Sequence, residues 1–183
     1  MKRNSPLSPV RILLALATLA VFTSSGSMAQ LRLGGSLHYG SEVDALGLQV
    51  NGYFPLAEVL EGKLSVGGDL TYFFPKTQEA FGIKSSVNYF SVNANGHYSI
   101  YESEPMSAYA VGGLNYTRVS VDVTGTGTLE RVSGSDAEMG LNLGVGGEYE
   151  VGFGHVFGEL KYVLGSTDQI VLGAGVRIPV GGQ

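Results

Sequence analysis

The chain has 183 residues, 11 Lys and Arg against 16 Asp and Glu, and no cysteine. That balance leaves no basic footprint for nucleic acid, and it excludes a disulfide framework. The 28 Gly and 10 Tyr are unusual for this length; glycine is depleted in ordinary strands, so its abundance inside strand-like patterns calls for a close-packed interior or a strongly bent sheet.

The N-terminus carries Lys2, Arg3 and Arg11, then the apolar run Ile12–Phe22, then Ser27-Met28-Ala29. A basic start, a short apolar core and a small-x-small end describe a secretory signal peptide over residues 1–29, cleaved after Ala29. The run is short of the roughly 20 residues that a spanning helix needs. No cysteine follows for a lipid anchor. Residues 30–183 remain as one domain of 154 residues with 8 basic and 16 acidic side chains.

Eight segments of that domain alternate with the strand period of two. They run over Leu31–Tyr39, Leu46–Phe54, Leu64–Phe74, about Asn88–Ile100, Ala108–Val123, Leu141–Val151, Val156–Leu164 and Ile170–Val180. The sixth is the clearest. Leu141, Leu143, Val145, Gly147, Tyr149 and Val151 share one face, opposite Asn142, Gly144, Gly146, Glu148 and Glu150. The polar face is mostly glycine with two carboxylates, while the apolar face is continuous. The pattern recurs along the chain, and it predicts a barrel with its apolar face toward lipid. In the fifth segment the phase slips near Tyr116–Arg118, which predicts a bulge or a strand that outruns the membrane. No segment reads as a long helix; Pro55–Gly62 has room for one helical turn.

The connections fall into two sets. Pro55–Lys63, Glu102–Ser107 and Gly152–His155 form one; Ser41–Ala45, Pro75–Val87, Gly125–Met139 and Ser166–Gln169 form the other and hold the two longest. Outer-membrane barrels have short periplasmic turns, longer outer loops and an even strand count. The second set is therefore expected outside, with Gly125–Met139 the longest and most mobile link, and both termini periplasmic. Tyr39, Phe54, Tyr72, Phe74, Tyr98, Tyr149 and Tyr162 sit near segment ends, where an aromatic girdle belongs.

With these segments, stretches such as Tyr109-Ala-Val-Gly-Gly-Leu-Asn-Tyr116 and the glycine-rich last strand, the chain resembles the small eight-stranded outer-membrane barrels of the OmpA transmembrane-domain and OmpX-like group. The resemblance implies an all-β, eight-stranded antiparallel up-and-down transmembrane barrel in the Gram-negative outer membrane. It also implies contact with outer-membrane lipid, the barrel-assembly machinery as a partner during biogenesis, and a structural or surface-interaction role as a monomer. Family members often end on an aromatic residue that the assembly machinery reads, whereas this sequence reads Ile178-Pro-Val-Gly-Gly-Gln183.

Chemical motifs are sparse. Gly144-Val-Gly-Gly147 and Gly173-Ala-Gly175 have neither dinucleotide nor Walker spacing. His38, His97 and His155 are too scattered for a metal motif. Ser36, His38, Glu42 and Ser99 supply the residue types of a lipid-modifying hydrolase, but a triad is recognised by geometry. No enzymatic activity, cofactor or metal is expected.

The inward charges are more informative. Arg32, Asp69, Glu148, Glu159, Lys161 and Arg177 fall on the presumed interior face. An eight-stranded barrel is filled by its own side chains, so these charges must pair. A connection centred near Phe153–Gly154 sets Glu148 against Glu159, Glu150 against Phe157 and Gly146 against Lys161, with Arg177 opposite Phe157. One buried network that plugs the barrel is expected. A rewired network would make a narrow pore. A secreted lipocalin-like barrel would instead need its apolar residues inside.

Overall fold

The computed structural model describes residues 31–80, 83–125, 132–165 and 168–180. The expected signal peptide, residues 1–29, and the tail 181–183 lie outside the described residues. Eight strands follow in order: β1 Leu31–Gly40, β2 Ala45–Leu56, β3 Leu64–Ala80, β4 Ile83–Ser103, β5 Met106–Gly125, β6 Val132–Val151, β7 Gly154–Leu164 and β8 Gln169–Val180. Each pairs antiparallel with the next, and β1 pairs with β8 to close the barrel. Between β2 and β3 there is a single 3-10 turn, Leu60–Gly62.

Alternation decides which way each side chain points. Leu37, Val50 and Leu172 face outward and are 57 %, 61 % and 58 % exposed. Their chain neighbours on the other parity, His38, Asn51 and Gly173, are buried. The barrel is thus apolar outside and polar inside, the reverse of a lipocalin. The wall of β1, β2, β7 and β8 is 10 to 12 residues tall, close to the roughly 9–11 residues that span a bilayer.

The opposite wall is taller. β3 has 17 residues, β4 has 21, and β5 and β6 have 20 each. Above Phe73, which pairs with Gly47 on β2, and above Leu141, which pairs with Leu164 on β7, these four strands continue without outer neighbours. They form a four-stranded tongue that rises roughly 20–30 Å, at about 3.3 Å per residue.

The tongue corrects the expected loops. Pro75–Val87 and Gly125–Met139 are mostly strand; only 81–82 and 126–131 separate the paired strands, and both lie outside the described residues. Gly134 and Asp136, expected in a mobile link, are in β6, paired with Val121 and Val119. The asymmetry between the two ends therefore lies in strand length rather than in loop length.

The phase slip expected near Tyr116–Arg118 is also absent as a bulge. Tyr116, Thr117 and Arg118 keep an unbroken register with Val92, Ser91 and Phe90. What changes there is the polarity of each face. Below this level the outward parity is apolar (Leu114, Tyr116); above it, the outward parity is Arg118, Ser120 and Asp122, and the inward parity is Val119, Val121 and Val123. The strand runs on in phase with its faces exchanged. The register shifts lie elsewhere, between Phe73 and Lys76 and between Ser99 and Tyr101. The first holds Pro75, which has no N–H to lose at an edge bulge.

Candidate functional site

The interior is where the chain concentrates its chemistry. All six inward charges meet there in one file of alternating sign. Arg32 Nη1 lies 2.9 Å from Glu148 Oε2, and Glu148 Oε1 pairs with Arg177 Nη1. Arg177 Nη2 is 3.4 Å from Glu159 Oε2, Glu159 Oε1 is 3.4 Å from Lys161 Nζ, and Lys161 Nζ is 3.5 Å from Asp69 Oδ2. Three cations alternate with three carboxylates, and all but Arg32 are buried. Burial of this kind is tolerated when each charge is paired and its remaining donors and lone pairs are used.

The neighbours supply those partners. Arg177 Nε donates to Asn51 Oδ1 at 3.1 Å and Nη1 to the Tyr109 hydroxyl at 3.0 Å. Its guanidinium carbon sits 3.7 Å from the Phe157 ring centroid, 4.7 Å from Tyr53 and 5.7 Å from Tyr109, within cation–π range. His97 is sandwiched between the Tyr53 and Tyr109 rings, at 3.9 and 4.4 Å. Asp69 accepts from Asn93 Nδ2 at 2.6 Å and Asn95 Nδ2 at 3.0 Å. Asn142, 0 % exposed, donates to Asn93 and Asn95, both at 2.8 Å, and Asn115 donates to Asn93.

Toward the tongue the polar lattice gives way to a small cavity of about 10 Å³, room for about one water molecule, lined in part by Lys161, Asn142 and Gln169. Above it Val43, Ala45 and Phe73 form a small buried apolar cluster with Tyr89 packed on it.

The aromatic cage, the asparagine lattice and the apolar cap are not among the expected site residues. Their parity was available: Tyr53 shares the face of Asn51, and Phe157 that of Glu159. Girdle and interior aromatics differ only in that parity.

The register expected across the β6–β7 turn is two residues out. The turn is Gly152–Phe153, so Glu148 stands opposite Phe157, Gly146 opposite Glu159 and Gly144 opposite Lys161. Glu150 pairs with His155, and Arg177 also stands opposite His155 rather than Phe157. The two carboxylates therefore do not face each other; Arg177 reaches both. Glycine makes the space. A Cβ on Gly146 would fall on the Tyr109 ring, and one on Gly34 would lie 2.7 Å from both Arg177 Cγ and Asn51 Oδ1.

The hydrolase candidates do not assemble. Ser36 Oγ is 2.9 Å from His38 Nε2, but the serine hydroxyl donates to Gln49. Glu42 is exposed in the β1–β2 loop, and Ser99 lies at the other end, where its N–H donates to the Lys63 carbonyl. Among the described residues, no group of three or more His, Cys, Asp or Glu is arranged to hold a metal ion.

The seven girdle candidates all point outward in two tiers. Tyr39, Tyr72, Phe74 and Tyr162 lie near the tongue end, Phe54, Tyr98 and Tyr149 near the termini. The Tyr39 and Tyr162 hydroxyls donate to Asp44 and Asp168 in the loops, at 2.8 and 3.0 Å.

No family model matches the chain, and no curated protein matches it. Solved structures do. A major outer membrane protein of Thermus thermophilus superposes with a TM-score of 0.68 at 11 % identity, over 84 % of this chain and 100 % of that one. The N-terminal β-barrel domain of Pseudomonas aeruginosa OprF gives 0.58 at 13 %, over 83 % and 98 %. Neisserial surface protein A gives 0.56 at 16 %, over 82 % and 96 %. At these identities the likeness is one of fold: the chain has the architecture of small outer-membrane β-barrels.

Proposed function

We propose that the chain is an integral protein of the bacterial outer membrane, a plugged barrel with a structural or surface-interaction role and no catalytic activity of its own. The carrying observation is the closed belt of exposed Leu, Val and Ile on all eight strands, framed by the two aromatic tiers. In water such a belt would be an aggregation surface; in lipid it is the only stable arrangement for a strand protein.

The reading continues from there. Residues 1–29 direct export, the barrel-assembly machinery inserts the domain, and no cofactor is involved. Both termini and the Gly152–Phe153 turn face the periplasm. The tongue stands outside the cell, where its polar outer face meets water. The charge file closes the lumen, so the barrel acts as an anchor that presents the tongue rather than as a porin.

The test is extraction and gel mobility. The protein should fractionate with outer membranes, require detergent for release, and migrate faster unheated than boiled. Release by salt or alkali without detergent would contradict the reading.

A further inference from the structure

The face inversion leaves an apolar sheet surface above the membrane. Val87 and Tyr89 on β4 pair with Val121 and Val119 on β5, all on the parity that faces the barrel axis. On β6 the row passes onto Gly134, opposite Val121, where an added Cβ would meet nothing within 4 Å. The low wall of β7, β8, β1 and β2 ends well below, so the valine face looks over an open side.

The charges around that face are mostly negative. Asp136 stands opposite Val119 on the same side of the sheet, and Glu138 opposite Thr117. Glu42, Asp44 and Asp168 lie on the low rim. Lys84 and Arg118 are on the outer parity, while Lys76 stands opposite Val87 at the far edge.

We propose that this inner face of the tongue is a docking surface for a cationic amphipathic peptide segment, apolar side on the valines and basic side toward the acidic rim. Val87, Val119 and Val121 are half-buried, and Tyr89 packs on the apolar cluster below them; an apolar sheet face framed by polar groups marks an interaction site, and charge complementarity selects the occupant. Anionic lipid headgroups and a second copy of this acidic surface would both meet like charge. The inference rests on the membrane-barrel reading, so correct insertion is scored first by heat-modifiable mobility. Failure to bind by an inserted barrel then counts against the docking surface alone.

The experiment uses the protein in zwitterionic phosphatidylcholine nanodiscs, with empty discs as reference and a fluorescent Leu/Lys amphipathic peptide as probe. Saturable binding above empty discs is expected, weakening as salt rises. Val121→Ser should weaken it about tenfold, roughly the loss of one good apolar contact. Glu42→Gln with Asp136→Asn should weaken it several-fold, as expected when rim charges are lost, and flatten its salt dependence. Ser120→Ala, on the outer face, should leave it unchanged. Equal binding of a scrambled Leu/Lys peptide, equal binding by Val121→Ser, preference for a Leu/Glu peptide, or displacement of the probe by lipid A would each overturn the proposal.

Discussion

Arg177, 1 % exposed, has a carboxylate on two sides and aromatic rings on three. Arg177→Ala leaves Glu148 with Arg32 and Glu159 with Lys161 but one buried negative charge in excess, so it should cost about 3–5 kcal/mol in urea unfolding from lipid vesicles. Arg177→Ala combined with Glu148→Gln should recover part of that loss; an equal or larger loss in the double variant would mean that packing, not pairing, dominates. Gly146 tests the other half of the packing. Gly146→Val puts branched carbon where the Tyr109 ring lies, and should destabilise by about 1–3 kcal/mol. Gly112→Val, on the lipid face with open space at its Cβ, should be nearly neutral in the same measurement. At this scale the six charges were legible from parity alone, because a period of two assigns each side chain to a face. Their pairing was not. A turn centred on Gly152–Phe153 rather than Phe153–Gly154 moves every opposite pair on β6 and β7 by two residues. Turn residues such as Val151-Gly-Phe-Gly154 fit either placement.

The strands divide into a ring and a tongue, and the two should respond differently. Leu143→Arg and Leu160→Arg place a charge on the apolar outer face of neighbouring strands. Each should cost about 2–4 kcal/mol or block insertion. Ser135→Arg, on the polar outer parity of the tongue, should cost little in the same assay; an equal penalty would place the tongue in lipid. The eight strand cores were visible in the sequence because apolar alternation is strong where one face meets lipid. The extensions of β3 to β6 were not. Beyond Tyr116 the outward parity of β5 turns polar, and Val119 to Val123 then read as a broken phase instead of an unbroken strand with its faces exchanged. Pro75, Gly134 and Gly140 reinforced the look of loops, although an edge bulge and a small-residue edge strand hold them without strain.

As a whole the molecule is a short barrel with one tall wall, sealed inside and apolar outside. Its topology follows from the strand count and from the side on which the tongue rises. With no native cysteine, single cysteines report topology without background. The most direct test is therefore labelling of Ser120→Cys, on the tongue, and Phe153→Cys, in the β6–β7 turn, by a membrane-impermeant thiol reagent on intact cells. Ser120→Cys should label at once, and Phe153→Cys only after the outer membrane is permeabilised. Labelling of Phe153→Cys alone would invert the barrel. Immediate labelling of both in a detergent-free soluble fraction would contradict the membrane barrel itself.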